Sequence, residues 1–446
     1  MSPPPGNRAA PKPSLSVIDG AAIVIGIVIG IGIFKTPALV AQSTDSALIF
    51  LLLWVAGGVI SFLGALCYAE LSAANPSTGG EYHFLSRAYG RAVGFLFAWG
   101  RMTVIQTGAI AAVAFVFGDY ASQLMPLGGY GPAIYALLAV ALFTVINARG
   151  LSGGKLAQIV FTAATIGALG AIVVAALVAG PPPAGTAAPA SSATGTIGLA
   201  MVFVLLTCGG WNEAAYLSGE VRDVQRNMVR LLALGLGVIV IVYLLLNIAY
   251  LGVLGLAGMR GSEAVAADLM RRSFGDWGAI VLSLAVSVAA ISTLNATIFT
   301  GARTSYAVGR DYPRLGFLGL WDARTQTPAT ALLVQGAIAG MLVILGAFTR
   351  DGFTTMVEFT APVFWLFFLL TGLSLFVLRW REPGRARPFR VPLYPLTPLL
   401  FCSACAYMLY ASLAYTGTGA LFGAALLLCG VPALLWVRPT AAQPAE

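Results

Sequence analysis

Along this chain, apolar runs of roughly 20 residues alternate with short connections that carry the charges, prolines and glycines. Runs of that length predict membrane-crossing helices rather than strands. There are twelve, at 15–40, 46–73, 93–124, 132–147, 155–179, 197–218, 228–256, 276–308, 329–348, 354–378, 392–415 and 418–437. Two of them are interrupted. Gly30-Ile31-Gly32-Ile33-Phe34 breaks the first run and Cys208-Gly209-Gly210-Trp211-Asn212 the sixth. A break inside the bilayer strands backbone N–H and C=O groups at several kcal/mol each, unless they are buried in protein or line a wet cavity. Function is expected at these two points.

The breaks also disclose a repeat. Setting Gly32 on Gly210, an offset of 178, sets Lys35 on Glu213 and lays five helices at 15–179 over five at 197–378. The Pro- and Ala-rich stretch 180–196 then connects the halves on the outer side. Five is odd, so the second half enters from the opposite face. Inverted repeats with one broken helix in each half point to a secondary transporter with its site at the midplane. Two helices at 392–437 follow the repeat, and 1–14 and 438–446 are tails.

Composition fixes the class: 59% of residues are hydrophobic and only 9% charged, against about 25% charged in soluble domains. The fold expected is an all-α membrane protein with 12 transmembrane helices. The net charge of +8 does not imply nucleic acid, because 19 of the 25 basic residues gather on one side, as cytoplasmic loops do. Arg260, Arg271, Arg272 and Arg350 fall on the other side. Both termini are then cytoplasmic. Lys35 and Arg101 lie within helices, Arg101 with no assignable partner. The first run is too long for a cleaved signal. The basic stretch 379–390 enforces topology and could touch anionic lipid. Short tails and high Ala and Gly content suggest the bacterial inner membrane.

Chemistry-bearing clusters are few. The five cysteines all sit in apolar runs, and Cys402-x-x-Cys405 lacks companion ligands, so it reads as helix packing. No disulfide-linked companion subunit is expected. His83 is the single histidine, which excludes a multi-histidine metal centre. No hydrolase elbow, P-loop or carboxylate pair stands out, so no enzyme is expected.

Four runs resemble a known family: GIGIFKTP at 30–37, GALCYAELSAANPSTGGEYHFLSRAYG at 64–90, GGWNEAAYLSGEV at 209–221 and NATIFTGARTSYAVGRD at 295–311. They are similar to the amino acid-polyamine-organocation superfamily, nearest to its L-type-like amino-acid transporters, over roughly 15–437. The resemblance implies the LeuT-type fold, a 5+5 inverted repeat with helices 1 and 6 broken, plus helices 11 and 12. It implies a secondary active amino-acid transporter working by alternating access, either by cation-coupled symport or as an obligatory exchanger. A transporter-like nutrient sensor, which binds without flux, is the reading from another class.

The residues agree with that implication. After Gly30 a half-helix begins, and its free amides and positive dipole end suit a carboxylate. By resemblance the amides of Ile31, Gly32 and Ile33 hold it. The ends of the other half-helices present carbonyls suited to an ammonium group. By resemblance these are Ile27, Val28, Leu206, Thr207 and Gly209. Trp211 lines or caps the pocket and Asn212 adds polar contacts, or both simply pack. The glycines could instead serve close helix packing, as Gly26-x-x-x-Gly30 would. Isoleucine at 31, where the family pattern has Ser or Ala, narrows the space. With no unpaired carboxylate in helices three, eight or ten facing the site, a neutral side chain is favoured.

Charges inside membrane segments are expensive and usually paired or near water. Lys35 and Glu213 are read as an ion pair across the outer entrance, or as two side chains snorkelling separately. Glu70, Glu81, Glu220 and Arg222, with Arg87, Arg91 and Arg226, are read as an inner gate network or as solvated loop charges. By resemblance Thr165 stands where sodium-independent relatives have a helix-five lysine. A sodium site at Gly26, Ile29, Ala289, Ser292 and Thr293 is then open, as is proton coupling.

Overall fold

The computed structural model describes residues 15–75, 80–150, 155–180, 197–218, 221–322, 324–325, 327–349, 351–414 and 418–437. The expected tails, nearly all of the 180–196 connector, and Glu220 lie outside these residues. Nine helices among those described are long and apolar enough to cross a membrane, and three shorter apolar helices, Val17–Gly26, Thr165–Val178 and Ile197–Thr207, complete the set. Each of the twelve predicted runs finds a helix, and no described strand goes beyond two isolated bridges.

The first span is split into α1 (Val17–Val28) and α2 (Gly32–Gln42), and the second is α3 (Ala47–Ala74). A short α4 (Gly80–Tyr89) precedes the third span, which runs as α5 (Arg91–Gly100), a π-helical turn at Arg101–Ile105, and α6 (Gln106–Leu124). The fourth and fifth are α7 (Gly131–Ala148) and α8 (Lys155–Val178). The sixth is α9 (Ile197–Thr207) followed by a tight 3-10 turn, Trp211–Leu217. Then come α10 (Val224–Arg260), α11 (Val265–Asp311), α12 (Ala329–Ala347), α13 (Gly352–Arg381) and α14 (Leu396–Ala414). The last span divides into α15 (Thr418–Leu428) and α16 (Gly430–Trp436).

Local chemistry sets several of these ends. Ser16 and Asp19 form a capping box at α1, and the side chains of Ser46 and Asp351 cap α3 and α13. Gly255 (φ 66°) and Gly275 (φ 70°) bend α10 and α11, next to where the apolar pattern ends the seventh run and begins the eighth. Only glycine takes those angles freely.

Packing sorts the spans into two groups. In one, α3 lies against α9, α10 and α14, and α1 against α10; in the other, α6 packs on α7, α11, α12 and α13. Glycines let backbones approach: a Cβ on Gly57 would stand 2.4 Å from Val204, and one on Gly64 would stand 2.5 Å from Phe401 and 2.6 Å from Trp211. Outward-facing Leu52, Leu138, Ile241 and Leu421 are exposed, as a lipid-facing surface requires.

On the arginine-rich face, the charges read as a gate network fasten connections. Glu70, 3% exposed at its side chain, accepts from Arg379 Nε (2.7 Å) and Nη2 (2.5 Å) and from the Val391 amide (2.6 Å). Arg87 grips Glu382 at 2.7 and 3.1 Å. The segment after α13 is thereby tied to α3 and α4.

Candidate functional site

Both breaks are built as the glycines foretell. Gly210 has φ 99° and ψ −21°, a left-handed conformation that stops the sixth span before its 3-10 turn. In the first span, Gly30 N–H turns back to the Val28 carbonyl (2.6 Å) and Phe34 N–H to Ile31 (3.1 Å). The amides of Ile31, Gly32 and Ile33 open α2 where no preceding helical carbonyl faces them. Thr207 joins the breaks: its hydroxyl donates to Thr36 Oγ1 at 2.8 Å, and a Cβ on Gly32 would be 3.2 Å from it.

A cavity of about 730 Å³ lies between the breaks. Gly26, Val28, Gly30, Ile31 and Gly32 from the first span line it, as do Leu206, Thr207, Gly209 and Asn212 from the sixth. Phe97, Phe364, Phe367 and Phe368 supply an aromatic wall. Other predicted residues are placed elsewhere. Ile33 is fully buried, and its carbonyl faces the Tyr250 hydroxyl at 3.5 Å. The Val28 carbonyl already accepts from Tyr243 at 2.7 Å, with one lone pair left for a ligand. Trp211 sits behind the wall, edge-on to Tyr68 (5.1 Å) and Phe368 (5.7 Å). Ile27 is helical in α1, but its side chain is outside the described residues. A Cβ on Gly26 would touch nothing within 4 Å, so Gly26 does not serve close packing.

The expected Lys35–Glu213 pair does not form, and the inverted repeat explains why. Equivalent positions past the two breaks run to opposite faces: α2 leads away from the arginine-rich face, whereas the 211–217 turn leads toward it. Glu213 is therefore not at the outer entrance. Lys35 Nζ meets Asp119 (2.9 Å), Asp351 (3.5 Å) and the Glu263 carbonyl (3.4 Å). Glu213 binds Arg101 Nη2 through both oxygens, at 2.8 and 3.1 Å.

Arg101 thus has a partner that the sequence did not assign. It opens the π-helical turn of the third span, a feature frequent at functional sites. Its Nη1 is 3.6 Å from Glu81. Glu81 in turn accepts from the Tyr68 hydroxyl at 2.6 Å, with the Asn212 amide at 3.4 Å. Arg101, Glu81 and Glu213 all line the cavity, the two carboxylates paired with the arginine and neither of them in helices three, eight or ten. The signal available was a lone arginine inside an apolar run, which demands a buried anion.

The residues expected to hold sodium come from two spans. Gly26 lines the cavity on α1, and Ser292 and Thr293 line it on α11. The Thr293 hydroxyl donates to the Ala289 carbonyl at 3.1 Å. Thr165, on α8, is half-buried.

Comparison with known proteins adds the lineage. The sequence profile described as amino acid permease matches residues 15–430. The b(0,+)-type amino acid transporter 1 of Rattus norvegicus is 31% identical over 396 residues, 85% of this chain and 79% of that protein. The Asc-type amino acid transporter 1 of Mus musculus is 28% identical over 440 residues, covering 96% and 81%. The large neutral amino acids transporter small subunit 2 of Mus musculus is 28% identical over 439 residues, with the same coverage.

Proposed function

Because the chain belongs to the amino acid permease family, we propose that it carries α-amino acids across a membrane by alternating access, as a transporter and not an enzyme. The observation that carries this reading is the cavity itself. It brings the open amides of α2 and the carbonyl ends of α1 and α9 to one place, and a zwitterion needs both. Glu81 and Glu213 are turned onto Arg101, leaving the phenylalanine wall to an uncharged side chain. The relatives named for neutral amino acids support that choice. We place the protein in a cytoplasmic membrane, bacterial by composition, with both termini cytoplasmic, and working without a disulfide-linked companion.

Exchange is the second reading. It needs no driving ion, and uptake then appears only when substrate is loaded on the other side. One reconstitution decides. Liposomes holding the purified protein are offered radiolabelled neutral amino acids under an inward sodium gradient, an inward proton gradient, or internal unlabelled amino acids. Accumulation with one gradient establishes symport with that ion, and uptake only against internal substrate establishes exchange. Binding without flux under all three overturns transport in favour of a sensor.

A further inference from the structure

Within its interior the third span carries two charges of opposite sign, Arg101 and Asp119, 18 residues apart, or about 27 Å along a helix axis. Each holds a residue three positions past a break. Asp119 takes Lys35 at 2.9 Å, and Arg101 takes Glu213 at 2.8 Å. Lys35 and Glu213 are repeat equivalents, yet the repeat does not dictate this pairing. An inverted repeat that sends Lys35 to the third span sends Glu213 to the eighth. There the offset of 178 sets Ala279 opposite Arg101 and Thr297 opposite Asp119, and neither is charged. One helix instead holds both broken spans, from its two ends and with opposite polarity.

The two ends differ in their surroundings. Around Lys35 the chain is closed. There α2 packs on α9, α10 and α11, the Tyr120 hydroxyl donates to the Phe34 carbonyl at 2.9 Å, and Arg260 donates to the carbonyls of Ala41 and Thr44 at 3.0 and 2.5 Å. At the other end, α1 and the 211–217 turn pack with α10 and with each other. Arg101 and Glu213 there reach across the cavity wall from the two groups of helices.

We propose that Arg101 and Asp119 are positioning residues that make the third span a strut with a latch at each end, the transport cycle parting the latches one at a time. Lys35 leaves Asp119 to open the face away from the arginines. Glu213 leaves Arg101 to clear the path to the arginine-rich face. This rests on the alternating-access reading.

The test uses the full chain with Cys429→Ser, which removes the one exposed thiol, and Ala109→Cys as the probe. Ala109 lines the cavity eight residues past Arg101. A membrane-impermeant maleimide is applied to vesicles sealed with the arginine-rich face outward. Arg101→Gln or Glu213→Gln raises the labelling rate, and Asp119→Asn or Lys35→Gln lowers it, each by roughly fivefold or more. Lys35→Arg leaves it unchanged. A residue that only supports the fold moves the rate one way from either end. Shifts of the same sign, or no shift, overturn the proposal. Amino-acid counterflow by the wild type is measured in the same vesicles. Its absence overturns the transport reading, while the labelling shifts still decide the latches.

Discussion

Gly26 and Gly32 read alike in the sequence, each a small residue near the first break, but a methyl group added to them has opposite consequences. At Gly32 it would press on Thr207 at 3.2 Å, and at Gly26 it meets open space. Gly32→Ala is expected to cost about 1–3 kcal/mol by overpacking, whereas Gly26→Ala, inside α1, should gain about 0.5–1 kcal/mol of helix propensity. Thermal unfolding of the purified protein checks both, the midpoint falling for the first and rising for the second. The breaks themselves were legible because glycine inside an apolar run is a local signal. What separates the two glycines was not, since Thr207 lies on another span. Lys35 and Glu213 teach the same lesson. Their importance followed from charge in an apolar run, but their partners, Asp119 and Arg101, are set by which face each half-helix points to.

At the scale of elements, apolar periodicity located all twelve spans, and it could not see the departures from α-helix within them. The π-helical turn at Arg101 and the 3-10 turn after Gly210 keep the length and polarity of ordinary helix, so no pattern of runs reveals them. Nor does periodicity reveal that α10 straddles the first break. Tyr243 bonds the carbonyl of Val28 before it, and Tyr250 faces that of Ile33 beyond it. Tyr243→Phe should cost about 1 kcal/mol, read as a lower unfolding midpoint. Glu70→Gln should cost more, about 3 kcal/mol, because it leaves Arg379 and the Val391 amide without their buried carboxylate. That variant is also expected to expose the connection after α13 to limited proteolysis, with faster cleavage than in the parent as the measurement.

For the whole molecule, the grouping of the arginines was legible along the chain, and the interior arrangement was not. Cys67, Cys208, Cys402 and Cys405 are all buried, and Cys429 alone is exposed, although all five sit in similar apolar surroundings along the chain. In detergent, a maleimide should modify one thiol rapidly and the other four only after denaturation, a ratio that mass spectrometry counts directly. The third span has one further consequence. Its two pairs are each neutral while closed, but parting Lys35 from Asp119 displaces a cation on α2 relative to a carboxylate fixed on the strut. A unit charge crossing the whole bilayer gains or loses about 2.3 kcal/mol per 100 mV. Even a fraction of that path makes the opening step electrically biased, so the turnover of an uncharged cargo should still respond to membrane voltage.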